Sequence, residues 1–186
     1  MTADARRRCD WAAEPQLYRD YHDQEWGRPL RGRTALFERL TLEAFQSGLS
    51  WLTILRKRDN FRAAFAGFDV ETVAGYTEAD VARLMADAGI VRNRAKIEAA
   101  IANARVVAGM DDDLSDLLWS FAPPPRPRPL TLADVPARTP ESDAMARHLK
   151  RLGFRFVGPT TAYALMQATG MVDDHLDTCW VPPKAR

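Results

Sequence analysis

Two groups of residues in this 186-residue chain carry the types and spacings that do chemistry. The first is Cys9, His22, His175 and Cys179, which comprise both of the chain's cysteines and two of its three histidines. Side chains four apart, such as His175 and Cys179, share one face of a helical turn, and a second pair from the other end of the chain completes a tetrahedral Cys2His2 set. Zinc suits that ligand set best. The spacing is not that of a zinc finger, so a plainer alternative stays open: two small buried hydrophobes and two ordinary polar residues. A disulfide scaffold is excluded, because two cysteines allow one internal bridge at most.

The second group centres on Glu43. Helical spacing puts it with Leu36 and Leu40 on a face that should be buried, and a buried carboxylate needs a partner or a task. Trp11, Tyr18, Tyr21, Trp26 and Trp51 lie close to it in sequence. Together they describe a slot for a flat, nitrogen-rich, even cationic ring, stacked on the aromatics and hydrogen-bonded to Glu43. The alternative is a core tryptophan cluster with Glu43 in a salt bridge to an internal Arg or Lys.

A third constellation runs over about 142–170. A helix with Met145, Leu149 and Leu152 on one face leads into Gly153-Phe-Arg-Phe-Val-Gly158, then into a helix from Pro159 to Thr169. Proline suits a first helical position, so the amides of Gly158, Thr160 and Thr161 point outward from a helix N-terminus. Such amides bind a phosphate, with Arg155, Lys150 and Arg151 nearby. An ordinary αα-hairpin fits the same glycines equally well.

The elements that must position these residues read as helical. Apolar residues recur with helical spacing at Phe61, Ala64 and Phe65, at Val81, Leu84, Met85 and Ala88, and at Ile97, Ile101, Ala104 and Ala108. Asp69, Thr77 and Ser142 suit caps or first turns, and Gly89, Gly153 and Gly170 suit helix ends. No strand is predicted, and the fold class is all-α. The run Pro123 to Pro129 holds five of the chain's 12 prolines and predicts an extended surface loop over 122–129. The length suits one domain spanning 1–186, and 46% hydrophobic residues exclude a chain that is mainly disordered. With 26 basic against 25 acidic residues, the total charge does not announce a polyanion partner. No stretch of 18 apolar residues occurs, and Arg6-Arg7-Arg8 precedes no apolar segment, so a soluble, unprocessed, cytoplasmic protein is expected.

These blocks together resemble one family, DNA-3-methyladenine glycosylase I of the helix-hairpin-helix superfamily, over nearly the whole chain. The residues that carry the resemblance are Cys9-x-Trp11, Tyr18-x-x-Tyr21-His22-Asp-x-Glu-Trp26-Gly27, Leu42-Glu43-x-x-Gln46-Ser-Gly-Leu-Ser-Trp51, Asp87-Ala-Gly-Ile90 with Arg92 and Lys96, Gly153-Phe-x-Phe-Val-Gly158, and Asp174-His175 with Cys179. The resemblance implies a bacterial base excision repair enzyme that hydrolyses the N-glycosidic bond of 3-methyladenine in double-stranded, alkylated DNA. It would release the free base and leave an abasic site. Glu43 is then the catalytic carboxylate, Tyr21 and Trp51 contact the flipped base, and Trp11, Tyr18 and Trp26 form the surrounding wall. Gly153, Arg155, Gly158 and Thr160 are implied to hold the DNA, and Leu49 after Gly48 to fill the gap left by the base. Cys9, His22, His175 and Cys179 match the ligands of a structural Zn2+ that fastens the two ends of the chain together. A monomer is expected.

Two departures stand out. Asp173-Asp174-His175 replaces a usual Asn-Asp-His, and the family lacks a catalytic aspartate here, so Asp173 receives no catalytic role. The Pro-rich loop also departs from the family pattern and is expected to affect no chemistry. No lysine follows the hairpin at the Schiff-base position of bifunctional relatives, which argues against strand cleavage. The competing reading is a non-catalytic, zinc-stabilised helix-hairpin-helix DNA-binding protein, against which Glu43, Tyr21 and Trp51 speak.

Overall fold

In the computed structural model, which describes residues 6–183, the helix starts follow local side-chain chemistry. Ser50, Asp69, Asn93, Asp113 and Thr139 each accept a hydrogen bond from a first-turn amide, satisfying donors that a helix leaves unpaired. Asp80 takes both the amide and the hydroxyl of Thr77, and Ser142 sits one turn inside a helix capped by Thr139. The resulting α-helices are α1 (Gln16–Gln24), α2 (Arg33–Gln46), α3 (Trp51–Ala64), α4 (Val70–Ala74), α5 (Glu78–Ala86), α6 (Arg94–Ala108), α7 (Leu114–Trp119), α8 (Pro140–Leu152) and α9 (Pro159–Ala168). No strand occurs among the described residues, as the all-α expectation required. Among the described residues no helix is long and apolar enough to cross a membrane.

The core is built round α2. Leu36, Phe37, Leu40, Leu42 and Phe45 are buried, and so are Arg39, Thr41 and Glu43 between them, so this helix is enclosed on every side rather than along a stripe. It packs on α3, α6, α7 and α9. Phe45, Phe61 and Phe65 meet at ring-centroid distances of 4.8 to 6.2 Å in the centre of this layer. α9 lies against both α2 and α8, which brings the hairpin beside the helix that carries Glu43.

Gly153 ends α8 with φ +100°, a left-handed conformation that costs glycine nothing, and Phe154 N–H reaches back to the Leu149 carbonyl at 3.0 Å. Phe154 and Val157 turn into the core, while Arg155 and Phe156 face out. The buried side chain of Asn103 on α6 clamps the loop from below. Its Oδ1 accepts from Arg155 N–H at 2.8 Å and its Nδ2 donates to the Arg155 carbonyl at 3.1 Å.

Three local expectations need correction. Leu152 does not join Met145 and Leu149 in the core; it is 40% exposed, because α8 ends there and Gly153 turns the chain away. Ala88 lies beyond the end of α5, whose last residue is Ala86. His175 and Cys179 sit in a turn-rich segment after α9, not on a helix, and still converge.

The Pro-rich stretch forms no helix and makes contacts of its own. Arg126 binds Asp174 at 2.7 Å, Arg128 binds Asp173 at 2.9 Å, and Asp177 N–H donates to the Pro129 carbonyl at 2.9 Å. The loop therefore straps the segment that carries His175 and Cys179.

Removing the Asn103 clamp leaves a loop N–H and carbonyl without their partner. Asn103→Ala is expected to cost about 1–2 kcal/mol in denaturant unfolding, with the helix content of the folded state unchanged by circular dichroism.

Candidate active site and metal-ligand cluster

The position of α9 against α2 leaves a cavity of about 220 Å3 lined by Trp11, Tyr18, Tyr21, Trp26, Glu43, Gln46, Trp51, Ala164 and Gln167. All five aromatic residues singled out from the sequence border it. Trp11 packs edge-on to Tyr18 at 5.6 Å and to Trp26 at 5.1 Å, and Tyr21 lies 5.5 Å from Trp51. The Tyr18 hydroxyl accepts from Leu52 N–H at 2.8 Å, which pins the first turn of α3 and with it Trp51.

Glu43 is 5% exposed and has no hydrogen bond or ion pair from any described residue. The salt-bridge alternative is overturned, because the nearby cations are engaged elsewhere. Arg39 donates to the Tyr21 hydroxyl at 2.7 Å and pairs with Glu25 at 3.5 Å. Lys96 donates to the Phe45 carbonyl at 2.8 Å and to the Ser47 carbonyl. Burial pushes the Glu43 carboxyl up to about 7, against a smaller opposing pull from Arg39. Trp51 Nε1 is likewise buried without a partner, so an acceptor and a donor stand unsatisfied in one aromatic cavity. Tyr21 is held neutral by burial, and since its oxygen accepts from Arg39, its proton is left to give.

A second cavity continues from Glu43 and Gln46 past Ser47, Gly48 and Leu49 to Thr160, Thr161 and Ala164. Leu49 is 40% exposed on its rim, after Gly48 at φ +78°. The exposed first turn of α9, with Gly158 as its N-cap, faces Leu49 across this groove. Gly153 and Arg155 line neither cavity; they lie on the outer hairpin.

Behind the aromatic wall the four Cys and His side chains meet. Their ligand atoms all lie within 4.8 Å of one another, and all four residues are buried. His175 Nδ1 is 3.2 Å from His22 Nε2, 3.6 Å from Cys179 Sγ and 3.7 Å from Cys9 Sγ, while Cys179 Sγ is 3.4 Å from His22 Nε2. A tetrahedron with metal–nitrogen and metal–sulfur bonds of about 2.0 and 2.3 Å has edges of roughly 3.3–3.8 Å, so these four of the six separations match the edges round one ion. The Cys179 thiol is held well below its usual range by hydrogen bonds from Cys9, His175 and His22, and the Cys9 thiol is pushed up by its bond to Cys179 and by burial. The other ring nitrogen of His22 bonds Asp23 at 2.8 Å, and that of His175 lies 3.2 Å from the Trp26 carbonyl, fixing both rings. Asp23 in turn takes Arg8 at 2.7 Å. At Gly27, φ +72°, an added Cβ would stand 2.9 Å from His175 Nε2, so only glycine fits.

Sequence reasoning gave no site role to Gln46, Gln167, Arg39 or Asp23. Gln46 was within reach, being three residues after Glu43 on the same helix face.

A model of the family described as methyladenine glycosylase matches residues 11–182. DNA-3-methyladenine glycosylase 1 of Escherichia coli K12 is 46% identical over 181 residues, covering 95% of this chain and 97% of the relative. The crystal structure of a 3-methyladenine DNA glycosylase I superposes with a TM-score of 0.92 at 45% identity, over 95% of this chain and all of that one. A single-residue variant of 3-methyladenine DNA glycosylase I, crystallised with 3-methyladenine, gives a TM-score of 0.91 at 34% identity over 96% and 99% of the two chains. The chain belongs to the methyladenine glycosylase family.

The raised carboxyl has a consequence for stability. Because Glu43 titrates higher in the fold than in the unfolded chain, its contribution is fully present below about pH 4.5 and is lost as pH rises through about 7. Glu43→Gln is therefore expected to stabilise the protein at pH 8, by up to about 3 kcal/mol, and to change little at pH 4.5. Paired denaturant unfolding at the two pH values measures the difference.

Proposed function

We propose that this chain is a monofunctional DNA glycosylase that hydrolyses the N-glycosidic bond of 3-methyladenine in alkylated DNA. The observation that carries this reading is the buried, unpartnered Glu43 carboxylate in an aromatic cavity. N3-methylated adenine in DNA is cationic, so bond cleavage releases a neutral base and needs less help at the leaving group than an undamaged purine does. Recognition carries much of the work. The damaged nucleotide turns out of the duplex and its ring stacks on Trp51, with Trp11, Tyr18 and Trp26 closing the wall. Glu43 accepts hydrogen bonds from the amino edge of the ring, and Tyr21 adds a contact. A cationic ring beside this carboxylate favours its ionised form and is itself favoured over neutral adenine by Coulomb and cation–π attraction in a partly dry site. Water then attacks C1′ of the sugar.

The groove between the Ser47–Ser50 turn and the start of α9 suits the DNA backbone. The amides of Gly158, Thr160 and Thr161 present a helix N-terminus to a phosphate, Gly153 and Arg155 flank it, and Leu49 fills the space the base vacates. The Cys2His2 cluster holds zinc in a structural role, because four protein ligands leave no open position for substrate.

Release of free methylated base from alkylated DNA, with unmodified DNA as control, is the decisive assay. Glu43→Gln and Trp51→Ala are expected to stay folded and to lose on the order of 10- to 100-fold in excision, the worth of one charge-assisted hydrogen bond or stacking contact. The wild-type kcat/KM should rise with pH through about 7 as Glu43 ionises, and Glu43→Gln should lose that limb. Normal excision by both variants removes the pocket assignment. Elemental analysis of protein purified without chelators should find one zinc per chain, and none would defeat the metal assignment.

A further inference from the structure

Gln167 borders the cavity from α9, one turn after Ala164. Its Nε2 donates to Asp174 Oδ2 at 2.9 Å. Asp174 is buried and also takes the Tyr163 hydroxyl and, at 2.7 Å, the guanidinium of Arg126 from the Pro-rich strap. With Arg126 and Tyr163 both donating to Asp174, its two oxygens serve as acceptors, and only one of the two orientations of the Gln167 amide matches them. The nitrogen must face Asp174. The oxygen is thereby turned away from Asp174, and no described residue donates to it.

We propose that Gln167 Oε1 is a fixed second acceptor for the bound base and that, with Glu43, it makes the pocket select a purine with an amino group at C6 over one with a carbonyl at C6. This rests on the glycosylase reading. An exocyclic NH2 has two hydrogens to give, one for each acceptor, whereas a carbonyl oxygen would face two sets of lone pairs without a proton between them. Discrimination by such a mismatch is large, because the buried acceptors are left unpaired when the wrong group enters. The charge on the ring does not separate the two, since both 3-methyladenine and 3-methylguanine are cationic in DNA. The amide orientation set by Asp174 therefore supplies a criterion that stacking and Coulomb attraction cannot.

The test uses the full chain and measures release of 3-methyladenine and 3-methylguanine from the same methylated DNA. Gln167→Leu keeps the side chain's bulk and removes the acceptor; it should lower 3-methyladenine kcat/KM roughly tenfold, leave 3-methylguanine unchanged or faster, and so narrow their ratio. Asp174→Asn no longer dictates the amide orientation and should narrow the ratio as well, mainly by raising 3-methylguanine release. If Asp174→Asn does not fold, Gln167→Leu alone decides. An unchanged ratio in Gln167→Leu, or an equal fall for both bases, overturns the assignment and leaves Gln167 a packing residue. A wild type that releases neither base refutes the glycosylase reading and this inference with it.

Discussion

The outer wall of the cavity is carried by residues 11–26, and what fastens them is the meeting of Cys9 and His22 with His175 and Cys179, from segments up to 170 positions apart in the chain. The apolar packing there is slight: a small cluster of Cys9, Leu176, Cys179 and Val181 with Trp11, Trp26 and Trp180 against it, set apart from the main core. Trp26 lies 4.7 Å from the His175 ring and Trp11 lies 5.3 Å from that of His22. The ligand cluster and the aromatic wall are two sides of one layer. Loss of the cluster would therefore disturb the cavity first and the phenylalanine core last.

The electrostatics of the cavity follow from where the cations are spent. Arg39 stands one turn before Glu43 on α2, the natural place for a neutralising cation, but Tyr21 and Glu25 hold its guanidinium. Glu25 is also claimed by Arg58 at 2.6 Å. Lys96 is engaged by backbone carbonyls at the end of α2. Each of these contacts is locally satisfied, and their sum leaves one carboxylate uncompensated. A fold that keeps such a group gives up stability at neutral pH, which is the pattern of a site shaped by a ligand rather than by packing.

Much of this was legible in the sequence. Cap residues, the glycine at Gly153 and the placement of Glu43 on a buried helix face follow from local periodicity and backbone chemistry, and these are properties a linear string records. The contacts that organise the site are of another kind. Asn103 with Arg155, Arg126 with Asp174, and Asp23 with His22 and Arg8 are polar pairings, most of them between residues far apart, and a lone Asn or Asp on a helix or loop looks the same whether it clamps a hairpin or faces solvent. The Cys2His2 set was found by residue type, yet the assumed helical turn for His175 and Cys179 is absent, since loop segments bring them together. The proline run ruled out a helix there, but its two arginines carried no sequence mark of the aspartates they reach.

The strap over 123–129 has a thermodynamic side as well. Five of its seven residues are prolines with φ already confined near −65°, so the unfolded chain has little freedom there to lose when Arg126 and Arg128 dock on Asp174 and Asp173. Stiffness does for this segment what hydrophobic burial does elsewhere. Its composition is therefore less constrained than its reach: a flexible replacement of equal length would still deliver both guanidiniums, but at a greater entropic cost, and a shorter one would leave Asp174 buried without its counter-charge.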